Sequence, residues 1–130
     1  MNESTKNWLA MVDYDIDTAR HMHETARYVY VVFMCHLAIE KMFKAIVGEE
    51  TNNFPPKTHD LIHLLNLGKI ELSPDLIDFI GIINNAAIVT RYPEDLPKLV
   101  SSYPQDVAKK YLDKTLEIIK CVKQDKRLKA

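Results

Sequence analysis

Glycine is scarce in this chain, three residues in 130, which argues against a loop-rich β architecture. There are two cysteines, Cys35 and Cys121. Both fall within apolar helical patterns, where a thiol serves as a small core residue, so no disulfide is expected. No run approaches the eighteen or more apolar residues of a membrane span, and the opening MNESTKNWLAMVDYD has no apolar signal core. A cytoplasmic, reduced protein without membrane contact is the expectation. Neither sign of charge dominates: the net charge is -1, so the overall balance does not suit wrapping a nucleic-acid backbone. A glycine-rich phosphate loop, a nucleophile elbow and a cysteine–histidine family signature are all missing, as are internal repeats and low-complexity segments.

What is present is ordinary globular composition, 47% hydrophobic and 27% charged, in a chain long enough for one domain over residues 1–130 to bury its own core. Its centre is Tyr28 to Val47, YVYVVFMCHLAIEKMFKAIV. Wound as a helix, this stretch lines up Tyr28, Val31, Val32, Cys35, Ile39, Met42, Phe43 and Ile46 on one face. The opposite face is apolar at first, with Tyr30, Phe33, Met34 and Leu37, and then carries Glu40, Lys41 and Lys44. A helix apolar nearly all round needs cover on both sides, from its own chain or from a second copy.

The remaining segments read as helices around it. Ser4 or Thr5 caps a first helix running to about Arg27, with Leu9, Val12, Ile16, Ala19 and Ala26 inward. No glycine or proline marks its end, but a single helix from residue 5 to 47 would span roughly 60 Å, too long for so small a domain, so a break is placed at Ala26 to Tyr28. Gly48 stops the central helix and Thr58 caps a short third one that ends at Gly68. Ser73, Pro74 and Asp75 start a fourth, to about Thr90, with Leu76, Ile77, Ile80, Ile83 and Ala87 inward. RYPEDLPKLVSSYP holds three of the six prolines and is expected to loop over the surface. Ser102 or Tyr103 caps the last helix, whose inward residues are Ala108, Tyr111, Leu112, Thr115, Ile119 and Val122, and the basic end with Lys123, Lys126, Arg127 and Lys129 reads as a solvated, fraying terminus. The expected fold class is all-α: an up-and-down four-helix bundle with an additional short helix.

Three groups of residues could carry chemistry, and a fourth cluster is explained without a ligand. His59 and His63 share a helical face at metal-ligand spacing, but no third or fourth ligand accompanies them, so no metal or other cofactor is expected. His36 and Glu40 are four apart, and so are Glu40 and Lys44: the first pair suits proton transfer, the second a solvating ion pair. Arg91 and Tyr92 suit a phosphate and a base, or equally a helix cap and a packed ring. Arg20, His21, His23 and Arg27 cluster where a helix C-terminus favours cations.

HLAIEKMFKAIV, then PPKTHDLIHLL, then NAAIVTRYPEDL and a final helix, with Trp8 and Asp13 near the start, resemble the HEPN domain, named for higher eukaryotes and prokaryotes nucleotide-binding. The likeness covers nearly the whole chain. It implies a four- or five-helix bundle, a homodimer, contact with a nucleotide or RNA, and, as in many small prokaryotic members, a minimal nucleotidyltransferase partner in a toxin–antitoxin pair. It implies a binding cleft from Glu40, Lys44, His59, Arg91 and Tyr92. The ribonuclease branch of the family has an arginine followed after four to six residues by a histidine. Arg20, Arg27, Arg91 and Arg127 each lack a histidine at that distance, so catalysis by that constellation is not expected. An endoribonuclease toxin with an atypical site and a structural dimer without a ligand are the alternatives.

Overall fold

In a computed structural model, which describes residues 1–129, the chain forms α1 (Glu3–Glu24), α2 (Tyr28–Thr51), α3 (Leu61–Leu67), α4 (Pro74–Arg91), α5 (Leu96–Ser102) and α6 (Gln105–Lys123). A 3-10 turn at Lys126–Leu128 follows, and the described residues include no strand. The four long helices make an up-and-down bundle whose directions show in the cross-helix pairs. Thr5 Oγ1 donates to Glu49 at 2.6 Å and Lys41 pairs with Asp15 at 2.7 Å, so α1 and α2 run antiparallel. Phe79 meets Tyr111 edge-on and Asp75 pairs with Lys114, which sets α4 antiparallel to α6.

α2 is the central helix. α1, α3, α4, α6 and the 3-10 turn all pack on it, and Val31, Val32, Cys35, Ile39, Met42, Phe43 and Ile46 lose all contact with solvent. Its opening turns and its last residue, Thr51, stay less covered. Tyr30 is 55% exposed, and with Phe33, Met34, Met22, Thr18, Thr25 and Arg27 it lines an apolar groove of about 560 Å³ between α1 and α2. An amphipathic α1, apolar at Val12, Ile16 and Ala19, covers the rest.

The break between α1 and α2 falls at Thr25–Arg27 and is made without glycine or proline. Ala26 takes the left-handed conformation (φ 61°), its N–H donates to His23 O, and the Arg27 N–H donates to Met22 O at 2.8 Å. This is the Schellman arrangement with alanine where glycine is preferred. Left-handed alanine costs about 1–2 kcal/mol, of which glycine returns part as extra freedom in the unfolded chain. Ala26→Gly is therefore expected to stabilise the protein by roughly 0.5–1 kcal/mol, read as a higher urea midpoint at unchanged slope.

Several boundaries differ from the sequence reading, each for a local reason. Asn2, not Ser4 or Thr5, caps α1: its side chain accepts from the Thr5 N–H, while the Thr5 hydroxyl is buried against Glu49. Gly48 does not stop α2, which continues to Thr51 and ends on left-handed Asn52. Asp60 rather than Thr58 caps α3; the Thr58 hydroxyl accepts from the Asp60 N–H one step earlier. Gly68 does end α3, in a tight place: a Cβ there would sit 3.1–3.3 Å from the Ile70 and Ile46 side chains, which would have to shift by a few tenths of an ångström. The proline-rich segment is not all loop, because Asp95 caps α5 and Pro97 falls in the first turn, where a missing N–H costs nothing. The bundle thus has two short helices where one was expected. Pro104 itself occupies the cap position of α6, so neither Ser102 nor Tyr103 serves. Ile77 and Cys121 are exposed rather than inward. Nor does the basic end fray: Arg127 donates to Glu50, Asp125 and Gly68 O, and Leu128 is buried.

Candidate functional site

α2, the loop before α3, and α4 meet around a cleft of about 430 Å³ lined by His36, His59, Asp60, Asn84, Ala87, Ile88, Arg91 and Tyr92. Spacing along α2 explains one wall. Phe33, His36 and Glu40 fall on one stripe of the helix, three and four residues apart, and that stripe faces α4. Asn84 fixes the other elements. Its Oδ1 accepts from the Leu61 N–H at 3.0 Å and its Nδ2 donates to Asp60 Oδ1 at 3.1 Å, while the same Asp60 oxygen accepts from Ile62 and His63 N–H. A polar side chain in the middle of an apolar helix thus ties the start of α3 to α4 and brings His59 over α2.

Glu40 lies at the hub. It is 4% exposed; Oε1 accepts from His59 Nδ1 at 2.8 Å and Oε2 accepts from Lys44 Nζ at 3.1 Å. Because a carboxylate accepts, His59 donates from Nδ1 and its Nε2 is the ring nitrogen left for the solvent side. His36 Nδ1 stands 3.9 Å from Glu40 Oε1, too far for a hydrogen bond, and has no hydrogen-bond partner among the described residues although His36 is 1% exposed. Burial holds this imidazole below its ordinary value of 6.5; the nearby Arg91 and His59 push it the same way, and Glu40 and Asn84 oppose. A histidine buried neutral binds its proton more readily when unfolded. Stability is therefore complete above pH 6.5 and is lost as pH falls below it, toward the lower folded value. His36→Gln is expected to flatten that part of the urea-midpoint profile; an identical slope in the variant would assign it to another group.

Arg91 closes the cleft at the end of α4. Its Cζ lies 5.0 Å above the Phe33 ring, its Nε is buried without a hydrogen-bond partner, and among the described residues no carboxylate pairs with it. The guanidinium does not cap the carbonyls of its own helix. Tyr92 follows, 79% exposed, with its ring at the cleft edge rather than packed under the loop.

Of the five residues expected to line a cleft, His59, Arg91 and Tyr92 line this one, Glu40 stands behind His59 as its hydrogen-bond partner, and Lys44 stands apart. Lys44 extends one turn beyond Glu40 to lie over Trp8 of α1 at 5.7 Å, behind the cleft. His36, Asn84 and Asp60 line the cleft beside those three. The spacing of His36 to Glu40 was the available signal; Asn84 and Asp60 gave none, since their roles depend on contacts across twenty-four residues. His63 is exposed, away from His59, and among the described residues no three histidines, cysteines or acids gather as a metal site would require. No helix of the described residues is long and apolar enough to cross a membrane.

The HEPN domain family model matches residues 5–125. The chain belongs to the HEPN domain family. Solved structures agree with that placement at the level of fold. TT1696 from Thermus thermophilus superposes with a TM-score of 0.78 at 18% identity, over 95% of this chain and 98% of its own. ST0689, an archaeal HEPN homologue, gives 0.74 at 18% identity, over 95% and 97%. No curated protein matches this HEPN domain.

Proposed function

We propose that this HEPN domain is a binding module that takes a nucleotide or RNA phosphate on Arg91, with Tyr92 stacking on a base. The observation that carries this reading is Arg91 itself: a guanidinium with no carboxylate partner, at the wall of a cleft large enough for a mononucleotide. A paired arginine would be a structural tie; an unpaired one keeps its fork for an anion. The module pairs with a second copy through the groove at Tyr30, Phe33 and Met34, where one exposed ring and two half-buried apolar side chains are costly to leave in water. With a minimal nucleotidyltransferase as its other partner, it is one half of a cytoplasmic two-component system of the toxin–antitoxin type.

A tagged pull-down from the source cell, with co-eluting protein, nucleotide and RNA quantified, tests these parts separately. A stoichiometric nucleotidyltransferase supports the two-component reading; a clean dimer alone removes it and leaves a free-standing binding module. If no nucleotide or RNA raises the melting temperature, the module is a structural dimer, since a ligand of the native state must raise it.

One observation favours a second reading, an atypical endoribonuclease. The Glu40–His59 hydrogen bond orients an imidazole at the cleft mouth as a general base requires. Growth arrest on expression that is lost in His59→Ala supports it, and normal growth with intact cellular RNA excludes it.

A further inference from the structure

We propose that Phe33 is a positioning residue that aims the Arg91 guanidinium into the cleft; this deepens the phosphate-site reading and rests on it. Phe33 is half-buried on α2 and stands as the partition between two spaces. Toward α1 it lines the apolar groove with Tyr30 and Met34, and toward α4 its ring carries Arg91 at 5.0 Å from the centroid. Arginines are usually fixed by a carboxylate, which occupies the fork and cancels the charge. Here a ring face does the fixing. The positive carbon is attracted to the face of the aromatic quadrupole, and a ring, unlike a carboxylate, brings no acceptor oxygen to occupy the N–H fork. Orientation is gained and neither the charge nor the donors are spent.

Three further features agree. The Arg91 Nε is buried with no acceptor, so the protein supplies no other hydrogen bond to define that end of the fork. His36, on the same α2 stripe as Phe33, lines the cleft and is held toward the neutral form, so it does not compete with Arg91 as a cation. Lys44, the other cation expected here, is turned behind Glu40. Among the described residues Arg91 is the only arginine or lysine that lines the cleft, and its aim depends on one ring.

Fluorescence anisotropy with a labelled single-stranded oligo-adenylate RNA tests this in the full chain, on wild type, Phe33→Leu, Phe33→Tyr and Tyr30→Ser. Leucine keeps bulk and removes the ring face, and affinity is expected to fall about fivefold to tenfold. Tyrosine restores the face, and affinity is expected within about twofold of wild type. Tyr30→Ser alters the same groove and leaves the Phe33 ring in place, so it reads what the groove alone contributes, and its loss is expected to be smaller than that of Phe33→Leu. If Phe33→Leu does not fold, Phe33→Met serves in its place. Equal binding by wild type and the leucine variant overturns the positioning role while the phosphate site stands. Equal losses in Phe33→Leu and Tyr30→Ser also overturn it, because the effect then passes through the groove. A wild type that binds neither this RNA nor adenosine monophosphate removes the phosphate reading, and the positioning role with it.

Discussion

Glu40→Ala is expected to destabilise the protein by about 3–5 kcal/mol, the usual cost of removing one partner from a buried ion pair. The reason is what the alanine leaves behind. Lys44 is 7% exposed, and Glu40 is its only ion-pair partner among the described residues, so its ammonium would remain in the bundle with the Trp8 ring alone for company. The loss should come from that uncompensated charge and not from a cavity, and a double variant separates the two. Glu40→Leu with Lys44→Met removes both charges and keeps the volume, and it should recover to within about 1 kcal/mol of wild type, because replacing a whole buried pair with apolar groups is often neutral or better. Urea midpoints of the two variants decide it. If the double variant is as unstable as the single one, the cost lies in packing or in the lost His59 contact, and Glu40 is not a structural hub of charge. The same comparison bears on function: a hub this costly to disturb holds His59 in place, so activity losses in Glu40 variants must be read beside their stability.

Arg91→Ala is the opposite case, large in binding and small in stability. Hydrogen bonds to a charged group are worth about 1.5–3 kcal/mol, so losing the fork should weaken nucleotide or RNA binding roughly 10–100-fold. Stability should change by less than about 1 kcal/mol, since only the stacking on Phe33 is lost. Arg91→Lys keeps the charge without the planar fork and should fall between the two. Unchanged affinity with a lowered melting temperature would make Arg91 a structural residue and leave the cleft without its anion-binding group.

The helices of this domain were legible because their signals are local. Ser73-Pro74-Asp75 places the start of α4 correctly, since a cap, a first-turn proline and an acid act within four residues. The apolar stripe of α2 gives its burial, because periodicity depends only on helix geometry. The misread boundaries, Asn2 for Thr5 and Asp60 for Thr58, share a cause: several polar residues near a helix start can cap it, and which does is decided by what else competes for them. Thr5 was taken by Glu49, forty-four residues away. Arg127 differs from expectation for the same reason: besides its neighbour Asp125 it bonds Glu50 of α2 and the Gly68 carbonyl just past α3, both far away in the chain.

The site divides along the same line. The sequence by itself determined which residues could do chemistry, that Glu40 would sit on the most buried helix, and that Arg91 and Tyr92 would stand together at a helix exit. Only the tertiary structure decided that Glu40 would join Lys44 to His59, that Lys44 would turn away to Trp8, and that Arg91 would rest on Phe33 with no acid to neutralise it. Spacing along a helix fixes a residue's face within its own element, but pairing between elements depends on how the helices rotate and slide as their apolar stripes pack. The energies that choose one partner over another are of the size of a single buried contact, and they exist only once the bundle has excluded water.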